Sequence, residues 1–190
     1  TGNYLVLGTL LVPSEVVVDL NRSTMVGNGS NKMFESAYNN GGVIESNWGF
    51  PLEVNRVINS EIKNGTIYNA DIGLNLRNFN EGCTVNGLYF LDCGQASYAF
   101  RCFYSSWRNC FVRSTSGSSS DPRAAFHFFS QINIQELSTL RVEGRQLAFD
   151  IDGGAGEGAN ACRMFNCSAE GCVNGIRLLN PMISFEIDTC

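Results

Sequence analysis

From residue 57 onward the chain is a succession of short runs in which apolar and polar residues alternate, each closed by a corner rich in Asn, Asp, Ser or Gly. Ile72–Cys93 (IGLNLRNFNEGCTVNGLYFLDC) contains a strand over GLNL, an Asn-marked corner, a second strand over TVNGLYF and an Asp/Gly corner. Related phrases follow: YAFRCFYSSWRNCFVRS, AFHFFSQINIQELSTLRVEG, LAFDIDGG, NACRMFNCSAEG and NGIRLLNP. Strands anchored at Leu74, Phe100, Phe128, Phe149 and Ile176 recur at intervals of 26, 28, 21 and 27 residues. Corners at Asn64, Asn86, Asn109, Ser138 and Asn166 recur at 22, 23, 29 and 28. Alternation with period two predicts strands. A drifting period in the twenties, carried by strands, is the mark of a solenoid, here of about seven coils. The expected fold class is therefore all-β, with residues 1–190 forming a single parallel β-helix domain.

Residues 1–30 read as an opening coil: Leu5 and Leu7 alternate with polar or small neighbours, Pro13-Ser14 turns the chain, Val16–Val18 starts a strand, and Gly27-Asn28-Gly29 closes it. Residues 31–61 are less regular, with a turn at Asn39–Gly42 and a loop at Trp48–Pro51. Two corner insertions stand out, Ser114–Pro122 and Gly153–Gly158. Within the strands, alternation sends Leu147, Phe149 and Ile151 inward and Ala148, Asp150 and Asp152 outward. The same logic places Arg77, Arg101, His127, Asp150 and Arg177 in roughly one outward column, with coils about 4.8 Å apart. Such a row suits a polar groove wall and equally a solvated face.

Composition narrows the classes. Charged residues make up 16%, Gly numbers 20 and the net charge is −5, which fits many turns and few solvated helices. No basic cluster suits nucleic acid. The longest apolar run, LVLGTLLVP, is half a membrane span or less, so membrane insertion is not expected. Lacking an initiator Met and stopping within ISFEIDTC, the sequence reads as an excerpt of a longer protein. The eight cysteines lack the spacing of a zinc knuckle, and several stand where other repeats have Val, Leu or Phe. Buried free thiols are expected, consistent with synthesis in a reducing cytoplasm. The sequons at Asn21, Asn28, Asn64 and Asn166 follow from Asn-rich corners.

Glycoside cleavage commonly needs two carboxyl groups. Asp150 and Asp152 lie two apart on one strand face, roughly 6.5 Å between Cα atoms, a separation that suits a retaining or an inverting pair. Mutual repulsion would raise one pKa, as a general acid requires. Glu143 and Glu136 on the preceding coil are the next candidates. His127 is the only histidine and points outward; with Arg101 it would serve as the base of a lyase. Arg141, outward in TLRVEG, adds a polar contact. Tyr89, Tyr104 and Trp107 offer flat rings for sugar stacking. A P-loop and a nucleophile elbow are absent. No metal or cofactor is expected.

The repeats, together with the opening Gly2-Asn3-Tyr4, LVLGTLLVPSEVVVDL and Gly27-Asn28-Gly29, resemble the right-handed parallel β-helix of the pectate-lyase-like superfamily over most of the chain. Irregular coil lengths, Asn/Ser corners and abundant Cys are most similar to bacteriophage tailspikes. That resemblance implies a homotrimeric receptor-binding depolymerase attached to phage tail or baseplate proteins. It would be carried on the virion after assembly in the host cytoplasm, and would cleave a capsule or lipopolysaccharide, in some members with a catalytic pair split between subunits. A non-catalytic fibre or adhesin and a secreted lyase are the alternatives, the last with an extracellular location. Departures are clear: no Asp-Asp pair or Gly-His-Gly of polygalacturonases is present, Asp121-Pro122 continues with Arg123-Ala124 and not the His-Glu of alginate epimerases, and no calcium-binding carboxylate cluster of pectate lyases is visible.

Overall fold

Corners define this molecule. The computed structural model describes residues 1–36, 56–115, 117–130, 132–133, 135–154, 159–180 and 182–190. The Asn39–Gly42 turn, the Trp48–Pro51 loop and residues 155–158 of the second insertion lie outside them. Each well-formed coil turns at residues with left-handed φ, and these stack in register. One corner column holds Asn64, Gly87, Asn109, Thr139 and Asn166; another holds Asn78, Arg101, Ser130 and Asn180, with Gly153 between the last two and the left-handed residue there, Gly154, one place further on. Asn and Gly accept this conformation at least cost, which explains why the corners are so rich in them. At two of the expected corners the left-handed residue is the one after that expected: Gly87 follows Asn86 and Thr139 follows Ser138. Side chains bridge neighbouring coils there, with Asn109 Nδ2 donating to Asn86 Oδ1 at 3.0 Å.

Between corners the chain forms parallel strands. Among the described residues they assemble into sheets of twelve, seven and three strands, a parallel β-solenoid. Seven strands succeed one another on one face, so about six turns separate the first from the last, in keeping with the stack of about seven coils expected. The twelve-stranded sheet bends at the Asn64 column, through long strands such as Glu61–Tyr68 and Thr84–Leu91. The seven-stranded sheet contains Ile72–Arg77, Gln95–Phe100, Ala124–Phe129, Leu147–Asp152 and Asn174–Leu179.

Register corrects the anchors chosen from size alone. Leu74 pairs with Ser97, Ser97 with Phe126, Phe126 with Phe149, and Phe149 with Ile176. Phe100 lies three residues beyond Ser97 in a column with Arg77, Phe129 and Asp152, and Phe128 lies two beyond Phe126. Ser97 holds an inward place because it accepts a hydrogen bond from Trp107 Nε1 at 3.1 Å. Trp107 meets Phe128 edge to face, and Phe126 stacks on Phe149. Ala148, expected outside, is fully buried.

Every cysteine follows a left-handed residue: Cys83, Cys93, Cys102, Cys110, Cys162, Cys167, Cys172 and Cys190 come directly after Gly82, Asp92, Arg101, Asn109, Ala161, Asn166, Gly171 and Thr189. All eight are free thiols. The position after the corner faces the preceding coil, where a small side chain with a weak donor fits. Cys83 Sγ reaches Val57 O at 3.3 Å and Cys162 Sγ reaches Ile132 O at 3.3 Å. Ser60, after left-handed Asn59, donates to Pro13 O at 2.8 Å in the same manner. Burial pushes the Cys93, Cys102 and Cys110 thiols up to about 12, so they stay protonated and unreactive at neutral pH.

Arg145 breaks this pattern. It follows left-handed Gly144, yet carries a buried guanidinium. Its nitrogens donate to Cys93 O at 2.8 Å, to Arg123 O at 3.2 Å and to Gly94 O. Carbonyl oxygens thus replace its water shell, and the first corner insertion is clipped to the body of the solenoid.

Candidate functional site

Outward positions of the seven-stranded sheet form one continuous column. Glu35 pairs with Asn75, Asn75 with Tyr98, Tyr98 with His127, His127 with Asp150, and Asp150 with Arg177. Of the five residues expected in a single column, His127, Asp150 and Arg177 share it. Arg77 lies two residues further along its strand, opposite Phe100. Arg101 is a corner residue with φ 53°, buried, its guanidinium over the Phe100 ring and its Nε donating to Ser130 Oγ.

A groove of about 450 Å³ runs along this column. Among the described residues, four cations from four levels line it, Lys32, Arg77, Arg123 and Arg177, together with Asn75, Tyr98 and His127, and Asp150 is the one carboxylate. Lys32 pairs with Glu35 at 2.8 Å, and Arg123 with both Asp71 and Asp121 at 2.7 Å. Arg77 has no carboxylate partner among the described residues. Its guanidinium lies 5.7 Å from the Phe100 ring centroid, and its buried Nε has no hydrogen-bond partner.

Asp150 is 2% exposed. Arg177 grips it with both arms, Nε to Oδ1 at 2.9 Å and a terminal nitrogen to Oδ2 at 2.6 Å. This carboxylate holds the Arg177 guanidinium more firmly protonated than usual. His127 Nε2 lies 3.4 Å from Asp150 Oδ2, close but without the alignment of a hydrogen bond. Burial holds the His127 imidazole below its ordinary value, against the pull of Asp150 and Asp152. A neutral imidazole with an unbonded nitrogen is the form in which histidine accepts a proton, though here Nε2 is buried. Tyr98 meets the His127 ring edge-on at 5.3 Å between centroids, and burial raises its phenol.

The other expected residues are distributed over several faces. Asp152 shares the Asp150 strand, accepts from Gly154 N at 2.9 Å and is bonded by Asn180 Nδ2. Glu143 and Glu136 lie on the twelve-stranded sheet, beside Arg113 at 3.7 Å and Arg108 at 3.2 Å, so they do not face the groove. Arg141 is exposed on that sheet, in register with Phe111. Tyr89 stacks on Phe111 with centroids 5.1 Å apart. Trp107 is 0% exposed and offers a ligand nothing: its strand points it into the core. Tyr104, at a left-handed corner, is 53% exposed. Sequence reasoning missed Lys32, Tyr98 and Arg123 as groove residues; the signal available was register, since aligning the corners at Asn78, Arg101 and Ser130 sets Tyr98 beside His127.

Comparison with known proteins returns no match: no family model fits the chain, and neither a curated protein nor a solved structure matches it.

Proposed function

We propose that this β-solenoid is a tailspike-like, receptor-binding depolymerase that engages an acidic polysaccharide of a bacterial surface along its seven-stranded face and cleaves its glycosidic bonds. The observation that carries the reading is the groove lined, among the described residues, by four cations against one carboxylate, in a chain of net charge −5. Focused positive charge in an otherwise acidic molecule recruits an anion. Successive coils then offer repeated contacts to a repeating chain. In a hydrolytic reaction Asp150 and Asp152 share the acid and base roles. Sugar carboxylates compete for Arg177, whose side chain is 52% exposed, and so uncover Asp150.

A second reading, β-elimination by a lyase, draws on His127: a neutral, partly buried imidazole among arginines, its Nε2 without a hydrogen-bond partner among the described residues, would take a proton next to a neutralised sugar carboxylate once ligand binding uncovers that nitrogen. The test incubates the protein with a panel of acidic capsular polysaccharides and follows new reducing ends together with ultraviolet absorbance. Reducing ends without absorbance, abolished by Asp150→Asn and Asp152→Asn, support the hydrolase. Absorbance abolished by His127→Gln assigns the lyase. Binding without cleavage on every sugar reduces the protein to an adhesin, and neither binding nor cleavage overturns the reading.

A further inference from the structure

A second recess of about 500 Å³ lies on the twelve-stranded sheet, away from the cationic groove. We propose that it binds a neutral sugar unit, with Tyr104 as the stacking ring and Gln135 Oε1 as the acceptor for an O–H or N–H of the sugar.

Three observations converge. Gln135 is 2% exposed and lines the recess. Its Nε2 is committed to Cys102 O at 3.1 Å and Ser105 Oγ at 3.2 Å, while its Oε1 has no hydrogen-bond partner among the described residues. A buried amide oxygen without a donor is costly, and a ligand donor relieves that cost. Next, Tyr104 is held outward by its left-handed backbone, φ 52°, so its ring stands at the rim instead of packing inward. A flat ring beside a few fixed polar groups is the composition of a site for a ligand with one apolar face and a polar edge. Thr84 and Ser106 add hydroxyls, 3.5 Å apart, as further polar contacts.

Charge sets the ligand class. The recess holds both signs, Arg108 and Glu136, and they neutralise each other at 3.2 Å. Arg163 is turned to Glu186 at 3.4 Å and Asp188 at 3.6 Å. No cation here is left for a carboxylate, in contrast to Arg77 in the groove. The ligand is therefore neutral, and the site is independent of the reading of the other face.

Saturation-transfer NMR tests this with methyl glycosides of glucose, galactose and N-acetylglucosamine, run on the full chain, on Tyr104→Asn and on Arg77→Gln. Asn tolerates the left-handed corner, so the first variant removes the ring and keeps the backbone; unchanged thermal unfolding verifies this. Expected is saturable binding of at least one neutral glycoside, weakened about tenfold by Tyr104→Asn and untouched by Arg77→Gln. The proposal is overturned by failure of all three glycosides to bind, by binding that survives loss of the ring, or by binding lost with Arg77.

Discussion

Along the twelve-stranded sheet, charge is settled between close neighbours: Lys63 with Glu61 at 2.6 Å, Arg108 with Glu136 at 3.2 Å, Arg163 with Glu186 at 3.4 Å. Along the seven-stranded sheet, built on the same coils, four cations line one groove while three of their partners, Glu35, Asp71 and Asp121, stand off its lining. Arg77 has no carboxylate at all among the described residues, and the single carboxylate within the groove is buried. A solenoid makes the first arrangement easily, because one strand position is repeated at every level. On the proposed function, the second arrangement serves an acidic ligand outside the protein, and that reading is what the contrast between the faces tests.

The largest expected difference between the faces is in stability. Asp150→Asn removes the carboxylate that Arg177 grips and His127 faces, in a place with little water, and is expected to cost about 1–3 kcal/mol. Glu136→Gln opens an exposed pair on the other face and is expected to cost less than about 1 kcal/mol. Urea unfolding of both variants measures this. Equal losses would mean that the Asp150 pair is merely another surface contact, and the contrast between the faces would lose its energetic basis.

That contrast was only half legible in the sequence. The solenoid was readable because the corners of successive coils take left-handed residues, and Asn and Gly advertise many of them. Anchoring strands on their largest apolar residue then misplaced Phe100 and Phe128, since Ser97 occupies the inward position that Trp107 bonds to. The error spread to Arg77 and Arg101, assigned to the His127 column but standing beside it and at its corner. Trp107 was read as a sugar platform because alternation over three residues does not say which side is inside. Asp150 was found in its column, but burial beneath Arg177 comes from pairing across coils 27 residues apart, which no local pattern carries. All eight cysteines are free thiols and six are buried, as expected, while Cys172 is half-buried and Cys190 exposed; their tie to the residue before them appears only once φ is known.

Next in size is the effect on binding. Arg77→Gln removes the unneutralised cation, and affinity for an acidic polysaccharide is expected to fall about tenfold, with a shallower dependence on salt. Arg163→Gln, on the self-neutralised face, is expected to leave both unchanged. Isothermal titration at low and moderate ionic strength separates the two. A loss shared by both variants would mean that the whole molecule's field attracts the ligand and the groove has no special part in it.

The smallest effect is on the pH dependence of stability, and it is confined to one face because the chain has a single histidine. Burial holds His127 below its ordinary value, outweighing Asp150 and Asp152, which pull it up; Arg177 adds to the lowering. As pH falls through about 6.5, the unfolded chain takes up a proton that the folded chain still refuses. The unfolded state then binds more protons, so stability rises with pH across that window. The contribution is fully present above the ordinary histidine value and is lost as pH falls toward the lower folded one. His127→Gln should flatten the dependence between about pH 5.5 and 7.5, measured as urea midpoints, while carboxylate-driven losses at lower pH remain. Saturating acidic polysaccharide should also oppose this trend: an anion beside His127 favours its protonated form, so the ligand should stabilise the protein more at the acid end of the window. A flat profile in the native protein would mean that His127 titrates as freely in the fold as in the unfolded chain, and the lyase reading would lose its neutral base.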